Sequence, residues 1–170
     1  MTGGGPRSPW ERLLGTWDLV SFVRLVDGDP VGDVLGPDPV GRLTYQPDGR
    51  VTALLARRDR PWRSGETFLS AGDEARGAAA REFVAYSGRF EVVDDRVVHH
   101  VDISLYPEHP GTDLVRTVSW RDGLLELRTP SRDTRSGRSM CDRLTWRPES
   151  GACRPPSVTS ATATQGPEGW

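Results

Sequence analysis

The sequence predicts an all-β fold: an eight-stranded up-and-down antiparallel barrel with one helix between the third and fourth strands. Three observations point there. Eight segments alternate apolar and polar residues with the period of two that a half-buried strand requires. One stretch, residues 71–84, shows helical spacing instead. The links between successive strands alternate between tight and long. In an up-and-down barrel those two sets of links fall at opposite ends. One end is then stitched by hairpins and the other is an open mouth. A sandwich has no reason to sort its loops this way.

The eight strands are predicted at residues 16–26, 42–46, 50–57, 86–93, 96–105, 113–120, 124–129 and 140–147. Pro47-Asp48-Gly49, Asp94-Asp95 and Arg121-Asp122-Gly123 supply the tight turns, with residue types that accept turn geometry. The long links at 27–40, 58–85, 106–111 and 130–139 ring the mouth. The helix places Ala75, Ala78, Ala79 and Phe83 at helical spacing, and Ser70 with Asp73 resembles a capping box.

The chain has 170 residues, 35% of them hydrophobic, enough for one domain and one sizeable core. Residues 1–8 read as a loose arm, 9–149 as the barrel domain, and 150–170 as a disordered tail of Pro, Ser, Thr, Ala and Gly. The formal net charge of -2 argues against a nucleic-acid partner. All 22 basic residues are Arg, which excludes a Schiff-base lysine and a phosphate loop that needs its Lys. Only two cysteines occur, Cys141 and Cys153, too few for a disulfide scaffold, so free thiols in a reducing compartment are expected. The N-terminus has no apolar core of a signal peptide, and no apolar run suits a membrane span. The expected location is the cytoplasm, as a monomer or homodimer without a membrane partner.

In a barrel alternate residues face inward. The apolar parity selects Leu43 and Tyr45; Val51, Ala53 and Leu55; Tyr86, Gly88, Phe90 and Val92; Val97, His99, Val101, Ile103 and Leu105; Leu114, Arg116, Val118 and Trp120; and Leu125, Leu127 and Thr129. The tight turns fix register as a check. They set Phe90 opposite His99, Gly88 opposite Val101, Trp120 opposite Leu125, Val118 opposite Leu127 and Arg116 opposite Thr129. Across the fifth and sixth strands, Val101 is expected roughly opposite Arg116. His99 and Arg116 then become diagonal neighbours on the inner face. Asp142, on the inner parity of the last strand, is expected nearby.

An inward Arg is costly unless paired or hydrogen-bonded. One reading is a structural network of Arg116 with Asp142, Tyr45 or Thr129. The other is a polar anchor for a ligand carbonyl, enolate or carboxylate, since Arg presents a fork of donors and stays charged. His99 is a candidate for proton exchange near neutral pH. Tyr45 and Tyr86 are candidate ligand contacts or core aromatics, with Tyr86 nearer the mouth. Phe90, Val101, Val118, Thr129 and Asp142 complete the expected pocket lining. Trp62 and Phe68 either cap the mouth or anchor their loop. No metal site is expected, because His99 and His100 point to opposite faces. No cofactor is expected, and no Gly-x-Ser-x-Gly elbow marks a hydrolase.

Several motifs together carry a family resemblance. Gly15-Thr16-Trp17 opens the first strand after a short turn at residues 10–14. Residues 36–45 read Gly-Pro-Asp-Pro-Val-Gly-Arg-Leu-Thr-Tyr, followed by Pro47-Asp48-Gly49-Arg50, His99-His100-Val101, Gly111-Thr112-Asp113 and Val115-Arg116. Over residues 13–147 the sequence resembles the bacterial lipocalin-like domain family. The resemblance implies a barrel with a central pocket for a small, mostly apolar molecule, with Trp17 closing the floor. It also implies an Arg from the last strand across that Trp, a role for Arg147 or Arg143, both outward by parity. Residues 107–110, Pro-Glu-His-Pro, depart from the family's Pro-Asn-Trp. By analogy with similar barrels in natural-product pathways, two functions are expected. One is a cofactor-independent cyclase or isomerase of a polyketide-like intermediate, with His99 and Arg116 polarising a carbonyl. The alternative is a non-catalytic carrier of a similar hydrophobic ligand.

Overall fold

Alternating segments zip into strands because each can bury one face against the others. The computed structural model describes residues 8, 10–62 and 65–149. Within them lie β1 (Gly15–Val26), β2 (Asp29–Asp33), β3 (Val40–Tyr45), β4 (Arg50–Ala56), α1 (Asp73–Arg81), β5 (Phe83–Val93), β6 (Arg96–Ser104), β7 (Asp113–Arg121), β8 (Leu124–Arg128), β9 (Arg132–Asp133) and β10 (Ser139–Pro148). Eight strands close an antiparallel barrel in the order β1-β3-β4-β5-β6-β7-β8-β10, with β10 returning to β1. Strands β2 and β9 are short ribbons paired with the mouth ends of β1 and β10. The expected arm at 1–8, except Ser8, and the tail at 150–170 fall outside the described residues, as does Cys153.

The hairpin registers match the expectation. Phe90 faces His99, Gly88 faces Val101, Trp120 faces Leu125 and Val118 faces Leu127. The β7–β8 turn puts Asp122 and Gly123 both at positive φ, 52° and 79°, the geometry of a type I′ hairpin. Pairing of β7 with β8 ends at Thr117–Arg128, so Arg116 is not ladder-paired with Thr129, whose N–H instead bonds the Asp142 carbonyl.

Other details differ from the sequence reading, each for a local reason. The helix is shorter than 71–84, because Phe83, Val84 and Ala85 extend the ladder with β4. These ladder pairs and the partial burial of Val84 replace another helical turn. Ser70 makes no capping box. Its hydroxyl and Thr67 exchange hydrogen bonds, and Gly72 takes the N-cap position. Ile103 and Leu105 are not inward: they are 65% and 46% exposed. A bulge sets Ser87 against Ile103 and Gly88 against Val101, which reverses parity beyond that point and turns Ser104 inward opposite Tyr86. Gly88 is required here, because a Cβ would collide with the His100 carbonyl. Arg116 lies opposite Val97, not Val101, and His99 opposite Leu114. The link after β6 folds back early, with Gly111 N–H bonding the Val101 carbonyl. The slip moves Arg116 from one diagonal of His99 to the other, so the two remain diagonal neighbours.

The hairpin end is the floor of the barrel. Trp17 is buried there and its indole N–H donates to the Leu13 carbonyl at 2.8 Å. It packs against Trp120 at 5.6 Å between ring centroids. The Arg12 guanidinium lies 4.2 Å over the Trp120 ring, a cation–π contact. The floor's Arg thus comes from the entry turn, while Arg143 and Arg147 pair in register with Val23 and Asp18. Among the described residues no helix is long and apolar enough to cross a membrane.

Candidate functional site

Inside the barrel, β3, β5 and β6 bring three polar side chains together. Their alternate positions face the same interior, and the β3–β4 and β5–β6 turns hold them in register. The Tyr45 hydroxyl lies 2.8 Å from His99 Nε2, and the Tyr86 hydroxyl 2.9 Å from His99 Nδ1. Tyr45 and His99 are each 1% exposed, while Tyr86 is half-buried. Phe90 meets the Tyr45 ring edge-on at 4.8 Å and closes the cluster from below.

Arg116 is half-buried, with one guanidinium nitrogen bonded to the Val115 carbonyl. Its charge bears on Tyr45, Tyr86, His99 and His109. Burial, aided by that charge, pushes His99 down to about 3. His99 is therefore neutral at physiological pH and ill-suited to the proton exchange expected of it. Burial raises both tyrosine hydroxyls, so they stay protonated.

Thr129 and Asp142 form a separate polar group. Arg24 clasps Asp142 through two bonds of 2.8 and 3.1 Å, and the Asp142 N–H bonds the Thr129 hydroxyl. The structure thus engages Asp142 with Arg24 rather than with His99 or Arg116. Sequence parity could not place Arg24. A bulge at Val20 shifts the register of β1 and turns Phe22 and Arg24 inward. Val101 is buried beside Gly88, and Val118 packs half-buried against the core.

His109 was also not legible in the pattern, since it sits in the loop after β6. Its Nδ1 lies 3.4 Å from the Ser104 hydroxyl, and its ring stands edge-on to Tyr86 at 6.5 Å. Burial and the Arg116 charge lower its pKa. A cleft of about 420 Å³ opens here, lined by Ala80, Arg81, Val84, Ser104, Tyr106 and His109. That volume suits a small molecule. Inward Phe22, Val84, Tyr86 and Val118 are only part-buried. Trp62 and Phe68 stack on each other 6.1 Å apart beside α1, over a cleft of about 480 Å³. Among the described residues no three His, Cys, Asp or Glu side chains gather to hold a metal ion.

Over 105 residues the chain is 38% identical to the 4'-hydroxy-3'-methoxypropiophenone carrier protein ppsC of Aspergillus oryzae, a match covering 57% of this chain and 95% of that protein. The lipocalin-like domain model matches residues 14–148. The closed eight-stranded barrel and this match agree, and the chain belongs to the lipocalin-like domain family.

Proposed function

We propose that the chain is a carrier that holds a small aromatic ketone or a similar polyketide-like molecule inside the mouth half of the barrel, in natural-product biosynthesis. The observation that carries this reading is the interior itself. Above its packed apolar core it carries the Tyr45–His99–Tyr86 cluster, beside which a cleft of about 420 Å³ lined by Val84, Ser104 and His109 opens. Such a site buries an apolar body and fixes one polar end. The relative named as a carrier of an aryl ketone supports the same ligand class. The test is titration of the full chain with 4'-hydroxy-3'-methoxypropiophenone, followed by tryptophan fluorescence and by mass spectrometry of the recovered compound. One saturable site and unchanged compound are expected. Absence of saturable binding of any aryl ketone would overturn the reading.

A second reading, a cofactor-independent cyclase or isomerase, is favoured by one feature: the polar groups are deep and clustered rather than single and at the rim. Arg116 and a tyrosine hydroxyl could polarise a carbonyl of a substrate folded by the barrel. A neutral His99 weakens the acid–base part of that mechanism. Conversion of a bound poly-ketone to an isomer, abolished in Arg116→Met, would favour this reading over the carrier.

A further inference from the structure

Hydrogen bonding and residue burial together favour one arrangement of the protons in the Tyr45–His99–Tyr86 chain. A neutral imidazole carries one N–H and one lone pair, and each tyrosine hydroxyl carries one proton. Both ring nitrogens of His99 are hydrogen-bonded to a tyrosine oxygen. Two arrangements are therefore possible. In the first, Tyr45 donates to Nε2 and the Nδ1–H donates to Tyr86. In the second, the Nε2–H donates to Tyr45 and Tyr86 donates to Nδ1.

The two differ in which hydroxyl proton is left over. The second arrangement strands the Tyr45 proton. Tyr45 is 1% exposed, and its hydroxyl has no other hydrogen-bond partner among the described residues. A buried donor without an acceptor is penalised. The first arrangement leaves over the Tyr86 proton instead. Tyr86 is half-buried and its ring faces His109 of the mouth cleft, so of the two tyrosines it is the one an incoming group can approach.

We propose that the hydrogen-bond chain runs from Tyr45 through His99 to Tyr86, so that Tyr86 presents a free O–H donor and the barrel selects ligands carrying an acceptor oxygen, a carbonyl or a phenolate. This deepens the carrier reading and rests on it. The charges agree with the direction. Arg116 acts on Tyr86 and His99, while Arg24 and Asp142 satisfy each other. The site is thus positive around the donor, which favours an electron-rich oxygen and repels a protonated amine. His99 is a positioning residue here. It touches no ligand, but its tautomer decides which tyrosine can donate.

Two measurements on the full chain test this separately. The first needs no ligand: the side-chain 15N shifts of His99 at neutral pH. Nδ1 protonated and Nε2 bare is the expected result, and the opposite tautomer would overturn the proposal. The second compares 4'-hydroxy-3'-methoxypropiophenone with the same molecule carrying a methylene in place of its carbonyl. In the wild type the ketone is expected to bind at least tenfold more tightly. In Tyr86→Phe, which keeps the ring, that preference is expected to shrink to threefold or less. Equal binding of the two compounds by the wild type, or a full preference retained in Tyr86→Phe, would overturn the proposal while leaving the carrier reading intact. If neither compound binds, the carrier reading falls, and the selection of acceptor ligands falls with it.

Discussion

The two halves of the barrel interior are built to different ends. Toward the floor, Leu13, Trp17, Leu43, Val51, Val97, Leu125 and Trp146 fill the space and are almost wholly buried. Toward the mouth, the inward positions hold Arg24, Tyr86, Arg116, Thr129 and Asp142, with Phe22, Val84 and Val118 part-exposed between them. These floor side chains make the dispersion and burial contacts that hold the fold, and a cleft beside Trp10, Phe90 and Val92 opens at the edge of this half. The mouth half keeps polar groups that cost stability, and a cleft opens at its rim. The tyrosine–histidine cluster lies at the boundary, rooted in the packed half and ending in the polar one.

This contrast can be broken from the floor side with the largest effect. Trp17→Ala removes a buried indole, its bond to Leu13 and its contact with Trp120. A loss of about 3–5 kcal/mol in urea unfolding is expected, as for other large aromatic truncations. Gly88→Ala strikes the boundary. The new methyl meets the His100 carbonyl at the β5–β6 bulge, and a cost of about 1–3 kcal/mol follows from forced backbone movement. A shift in the Tyr86–His99 geometry should accompany it, read as weaker ketone binding.

Acid sharpens the same contrast. His99 has a folded-state pKa of about 3 against an ordinary 6.5. Above pH 6.5 it is neutral in both folded and unfolded chains, and stability is complete. Below 6.5 only the unfolded chain takes the proton, so stability falls as pH drops toward 3, by up to ~1.4 kcal/mol per pH unit. Its neighbour His100 points outward and pairs with Asp113 at 2.7 Å, which raises its pKa. That group works in the opposite sense, and solvent screening of this part-exposed pair keeps the effect small. Urea titrations from pH 7 to 5 should show the fall in the wild type and a flatter profile in His99→Gln.

Arg116→Met tests the mouth half, with the smallest effect on folding. It keeps much of the side-chain length and removes the charge and every donor. Stability should hold or rise slightly, while ketone affinity should drop at least tenfold, about 1.4 kcal/mol. Unfolding of the variant would assign Arg116 to a structural network instead.

Much of the floor was legible in the sequence, and less of the mouth. Tight turns fix register by geometry, so Phe90 opposite His99 and Trp120 opposite Leu125 could be read directly. With them came the inward sides of Tyr45, Tyr86 and His99. Bulges are what parity cannot see. One at Val20 brought Arg24 inside, and one beside Gly88 sent Ile103 and Leu105 out. Gly88 carried a signal, since a glycine within a strand marks a bulge or a close backbone approach. Long links leave register open, which is why Arg116 came to face Val97 and Asp142 came to face Arg24. His109 reached the cleft from such a link, where no periodicity applies.

A ligand held by this barrel is expected within the mouth half and not in a surface cleft. Isotope-filtered nuclear Overhauser measurements with 4'-hydroxy-3'-methoxypropiophenone on the labelled full chain test it most directly. Contacts from the ketone to Val84, Tyr86 and Val118 are expected. Contacts confined to Trp10 over its floor-side cleft of about 410 Å³, or to the Trp62–Phe68 stack, would contradict it.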